Sequence, residues 1–169
     1  MNYRRNDYDV TNTVQVSSPD AVLRAVRNLF AETWPQESFD RLDTAFADFE
    51  KLFTAKYPGY HGCDTAYHDM QHSLDVTLAA ARLCVAHDRV QTANMRIGPS
   101  RSLVSVSYLI HLDDPLDRTA GHILGTADLI AQMADRCYLE KCRDRLYPEF
   151  VLAGIAVPED TVRGQVKVV

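Results

Sequence analysis

Cysteine is scarce. The 169 residues hold four, Cys63, Cys84, Cys137 and Cys142, with neither zinc-ribbon spacing nor the density of a disulfide scaffold. Free thiols in a reducing cytoplasm are therefore expected. No run of about 18 or more apolar residues occurs, so no membrane span is expected. The opening MNYRRNDYDV has charges with no apolar stretch behind them, which does not fit a secretory signal. A basic excess is also missing. Eighteen Lys and Arg against 23 Asp and Glu leave a formal net charge of −5, whereas a dedicated nucleic-acid binder needs a basic face. Internal repeats and low-complexity tracts are absent. What is present, 46% hydrophobic and 24% charged residues, suits a globular domain. A chain of this size buries about 70% of its unfolded surface without staples.

Apolar periodicity predicts an all-α chain. Residues 1–17 are polar and read as a loose arm. Ser18-Pro19-Asp20 is a helix start, with Ser18 as cap and Pro19 in the first turn. Val22, Ala25, Val26, Leu29 and Phe30 then predict a helix over 19–33, closed by Trp34-Pro35. Leu42, Phe46, Phe49 and Phe53 predict a second over 39–56, stopped by Pro58-Gly59. A third, over 64–93, contains no Gly or Pro. It is apolar along Met70, Leu74, Leu78, Ala81 and Val85 and again along Val76, Ala79 and Leu83, so it belongs at the centre. Asp114-Pro115 opens a fourth, over 115–146, with Ile123, Ala127, Ile130, Ala134 and Cys137 as its stripe. Gly121 and Gly125 lie inside it at about 1 kcal/mol each relative to Ala, which implies a close helix contact or a ligand. Residues 103–110 (LVSVSYLI) fit a short strand or a buried helical piece equally well. The 157–169 tail is β-like. One domain over 18–156, between arm and tail, is the expected organisation.

The stretch Tyr67-His68-Asp69-Met70-Gln71-His72-Ser73-Leu74-Asp75-Val76 is the richest in chemistry. On a helix, His68 and His72 stand one turn apart on one face, and Asp75 extends that stripe. Imidazole and carboxylate on one ridge suit a divalent metal, with room for a ligand from a neighbouring helix. A solvated polar face gives the same pattern. Asp128 and Asp135 share a face of the fourth helix. Asp128 lies among apolar neighbours, and a buried carboxylate there needs a partner or a metal. Asp135-Arg136 opens a charged run and reads as surface. His61, His87 and His122 read as ordinary structural histidines.

The segment YHDMQHSLDV resembles the Tyr-His-Asn-x-x-His-x-x-Asp-Val signature of the HD-domain metal-dependent phosphohydrolases, in the branch similar to class I cyclic-nucleotide phosphodiesterases. GTADLIAQMADRCYLEK resembles the late helix of that fold, which supplies its last metal-binding Asp. The two stretches cover roughly residues 60–90 and 114–156. The resemblance implies an HD-like helical bundle. It implies His72 and Asp128 as ligands of a divalent metal ion, His68 as the general acid and Asp75 as a group orienting a histidine. The implied activity is hydrolysis of a small phosphorylated substrate, a phosphomonoester or phosphodiester, by water that the ion activates.

One element of the pattern is out of place. The name-giving His-Asp pair should follow on a different helix. The His-Asp of this chain, His87-Asp88, follows His72 by 15 positions on one predicted helix, about 22 Å along its axis. No single ion spans that, so His87-Asp88 is expected far from His72 and facing solvent. His111 is the substitute ligand candidate. A missing internal stretch near 89–106 and a cut C-terminus would explain the gap. Activity is then impaired, and the alternative is an inactive helical remnant that serves as a binding or interaction module.

Overall fold

The computed structural model describes residues 7–103 and 114–157. It is all-α: among the described residues there is no strand, only an isolated antiparallel bridge between Tyr8 and Gln15. Seven α-helices are described: α1 Pro19–Thr33, α2 Asp40–Phe53, α3 Met70–Val90, α4 Gly98–Leu103, α5 Pro115–Ala134, α6 Tyr138–Lys141 and α7 Tyr147–Leu152. A π-helical turn, Cys142–Leu146, joins α6 to α7. Among the described residues no helix is long and apolar enough to cross a membrane. His111, most of 103–110 and the tail beyond Val157 lie outside the described residues.

The caps that start α1 and α5 are local chemistry. Ser18 Oγ accepts from the Ala21 amide, and Asp114 accepts from the Leu116 and Asp117 amides. Val22, Val26 and Phe30 of α1 are buried, as are Leu42 and Phe46 of α2. They close on Leu74, Leu78, Ala81 and Val85 of α3 to form the core. The α3 helix is central, packed against α1 on one side and α5 on the other.

Four helix limits differ from the periodic reading, one of them the end of α3, at Val90 rather than 93. The α2 helix stops at Phe53 rather than 56, because Ala55 takes a left-handed conformation (φ 58°) and the Lys56 and Tyr57 amides turn back to the Lys51 carbonyl. The α3 helix starts at Met70 rather than 64, because the Asp69 carboxylate accepts from the His72 amide at 2.8 Å and caps it there. The fourth segment is broken at Ala134, where Asp135 leaves helical geometry and binds Lys141. Its apolar stripe is also corrected. Ala120, Gly121 and Ala127 are buried, while Ile130 is 45% exposed. Gly125 makes no close approach, since a Cβ there would meet nothing within 4 Å.

Residues 7–17 are not a loose arm. Val16 is part of the core, and Asp9 is 3% exposed. Asp9 Oδ1 accepts from the Thr13 and Val14 amides at 2.9 Å, and Oδ2 accepts from Thr11 Oγ1 at 2.6 Å and Arg82 Nη2 at 2.7 Å. Burial alone would push this carboxyl up. The hydrogen bonds outweigh it and hold Asp9 well below the ordinary carboxylate range. The native state thus keeps Asp9 ionised at pH values where the unfolded chain protonates it. Its contribution is complete above about pH 4 and lost as pH falls further. Asp9→Asn turns an amide NH₂ toward Arg82 or toward the two backbone amides. It is expected to cost about 2–4 kcal/mol at pH 7. In urea titrations the gap from wild type should narrow below about pH 4, and a pH-independent gap would contradict this.

Candidate metal and acid–base site

The polar end of α3 meets α5 and the π turn. His72 occupies the first turn of α3, where Asp69 fixes its backbone, and its ring Nε2 lies 3.2 Å from Asp128 Oδ1 on α5. Gln132 Nε2 donates to the same oxygen at 3.0 Å. The His72 side chain is 16% exposed and that of Asp128 45%. Burial lowers the His72 pKa, and the neighbouring Asp128 carboxylate only partly opposes this. The ring is thus biased toward the neutral form, which is the form that ligates metal.

His68 precedes α3 and its cap, so it is not one helical turn below His72. The two rings meet regardless, edge to face at 5.6 Å, with Tyr67 against both. His68 is exposed, and its Nδ1 lies 2.6 Å from Glu149 Oε2 on α7. The other Glu149 oxygen accepts from the Tyr67 amide. Burial pushes the Glu149 carboxyl up, but those hydrogen bonds hold it below the usual range. An ionised carboxylate only accepts, so Nδ1 of His68 carries the hydrogen and Nε2 is left for proton exchange. Burial pushes the Tyr67 phenol well up, which keeps it neutral.

A cavity of about 20 Å³ lies behind His72. Tyr67, Asp69, Asp75, Asp135, Lys141 and Arg145 are among its walls. Asp75 shares this wall with His72, and the ring nitrogens of His72 and His68 lie 3.2 and 2.6 Å from the carboxylates of Asp128 and Glu149. Glu149 is the residue that sequence reasoning missed. It is 81 positions from His68, and no local pattern marks it.

Two expectations need correction. Asp128 is not enclosed by its apolar neighbours, because Leu129 and Ile130 turn outward at 59% and 45% exposure. Asp88 does not face solvent: it is 1% exposed. Its oxygens accept from the Ile97 and Gly98 amides, each at 2.8 Å, and Oδ1 lies 3.0 Å from His87 Nδ1. The His87-Asp88 pair sits at the far end of α3 from His72, where Asp88 ties the 91–98 connection to the helix.

His72 and Asp128 supply the nitrogen and oxygen donors a divalent ion takes. Two ligands about 2.1 Å from one ion stand about 3.0–3.4 Å apart when they occupy neighbouring positions, and the observed 3.2 Å falls in that range. Among the described residues no group of three or more His, Cys, Asp or Glu side chains converges on one point. Comparisons of the chain with protein-family profiles, curated proteins and solved structures return no match.

Proposed function

We propose that this chain carries an acid–base and metal site of the HD-phosphohydrolase type, built to hydrolyse a phosphomonoester or phosphodiester. The observation that carries this reading is the 3.2 Å approach of His72 to Asp128 across two packed helices, beside a histidine held by a carboxylate. His72 and Asp128 would hold a divalent ion, which supplies Lewis acidity toward a phosphoryl oxygen. The chain's own groups do the rest. Glu149 fixes the His68 ring, and Nε2 of His68 delivers a proton to the leaving oxygen. Two protein ligands hold an ion weakly, so weak metal affinity and little turnover are expected.

The second reading, a helical binding module without catalysis, is favoured by the same contact taken alone, since a direct approach of His72 to Asp128 needs no ion between them. Calorimetric titration with Mn²⁺ separates the two. One ion should bind per chain, His72→Ala and Asp128→Ala should each abolish binding, and His68→Ala should spare it. No Mn²⁺ binding by the wild type, or binding unchanged in His72→Ala and Asp128→Ala, would overturn the metal site and favour the second reading.

A further inference from the structure

The cavity behind His72 has a wall that the proposed site does not use. Arg145 lies on it, carried by the π-helical turn. The guanidinium groups of Arg82, Arg101 and Arg143 lie 2.6–3.0 Å from carboxylate oxygens. Arg145 differs: its carboxylate contact is Asp69 Oδ2 at 3.9 Å, beyond hydrogen-bond reach. Arg145 therefore lines the cavity without a tight carboxylate partner among the described residues. Lys141, the other cation on the wall, is already bound to Asp135.

The backbone explains why Arg145 points there. Lys141, Arg145 and Glu149 are spaced by four. On a regular α-helix each such step advances about 40°, so the three would spiral apart by about 80°. A π turn rotates less per residue, and such turns recur at functional sites. The turn at Cys142–Leu146 offsets part of that drift. Arg145 can then wall the cavity while Glu149 still reaches Tyr67 and His68.

We propose that Arg145 is the residue that binds a phosphoryl oxygen of the substrate at this site. The inference rests on the phosphohydrolase reading and adds to it the group that recognises the phosphate. The cavity admits about one water-sized group. One phosphoryl oxygen enters it, and the rest of the ester stays outside, on the side of the exposed His68. Two neighbouring N–H groups of a guanidinium can both donate to that oxygen, in a fixed plane that an ammonium does not reproduce. The carboxylates of Asp69, Asp75 and Asp135 share the cavity wall and outnumber its two cations, Lys141 and Arg145. Phosphate alone should therefore bind weakly, and more tightly once a divalent ion offsets the carboxylates.

The test is titration of the full chain with inorganic phosphate, followed by ³¹P NMR with and without Mg²⁺, beside a separate Mg²⁺ titration without phosphate. Arg145→Gln should weaken phosphate binding by about tenfold or more, and Arg145→Lys by less. Both variants should keep the wild-type melting temperature and Mg²⁺ affinity, which a merely structural role of Arg145 would not. Phosphate affinity unchanged in Arg145→Gln, or no phosphate binding by wild type in either condition, overturns the inference whatever the metal does. Arg145-dependent phosphate binding without any Mg²⁺ binding upholds it and removes the metal reading instead.

Discussion

Replacing His68 with Ala, in a version of the chain completed with a His-Asp helix, is expected to slow hydrolysis of an alkyl phosphodiester by about 10²–10⁴-fold, the range for a lost general acid. Glu149 holds Nδ1 at 2.6 Å and packing against Tyr67 and His72 fixes the ring plane, so Nε2 is presented in one direction. An alkoxide leaving group needs that proton. An activated aryl ester, whose leaving group departs as an anion, does not, and its hydrolysis should change little. Glu149→Gln should fall between wild type and His68→Ala, because an amide can still accept from Nδ1 but no longer stabilises a charged ring. Equal losses on alkyl and aryl esters would show that His68 acts by something other than proton donation.

Asp88→Ala is expected to cost about 3–5 kcal/mol of stability, a large part of the 5–15 kcal/mol typical of a domain. Asp88 is 1% exposed and takes two backbone hydrogen bonds at 2.8 Å, from Ile97 and Gly98. Ile97 is itself buried at 2% exposure. Alanine leaves the Ile97 amide unpaired in the interior and frees the 91–98 connection from α3. Asp88→Asn should cost less, about 1–3 kcal/mol, since one amide oxygen still accepts. The urea midpoint reads both, and a midpoint for Asp88→Ala within about 1 kcal/mol of wild type would contradict the anchor role.

The parts of this molecule that were legible in the sequence are those decided within one helical turn. Ser18 and Asp114 cap the helices that follow them, and of the α1 stripe Val22, Val26 and Phe30 are buried while Ala25 and Leu29 are partly so. The same local chemistry also misled. Asp69 reads as one more polar residue in a periodic segment, yet its side chain starts α3 there and puts His68 outside the helix. Asp9 had a signal that composition hides, since Asp-x-Thr-x-Thr can fold on its own carboxylate. Arg82, which completes that cluster, comes from 73 residues away. His72 and Asp128 were paired through resemblance and stand together at 3.2 Å. Glu149 and Arg145 were not legible, because a π turn sets the register that aims them, and periodicity at 3.6 residues per turn does not anticipate one.

The most direct test of the central claim watches the His72 ring itself. Imidazole ¹⁵N signals followed during Zn²⁺ addition report which ring nitrogen an ion touches. The Nε2 signal of His72 should move with one equivalent of bound metal, and that movement should vanish in Asp128→Ala. A His72 signal that stays still while Zn²⁺ is added, or that moves identically in Asp128→Ala, would contradict a metal held between these two residues.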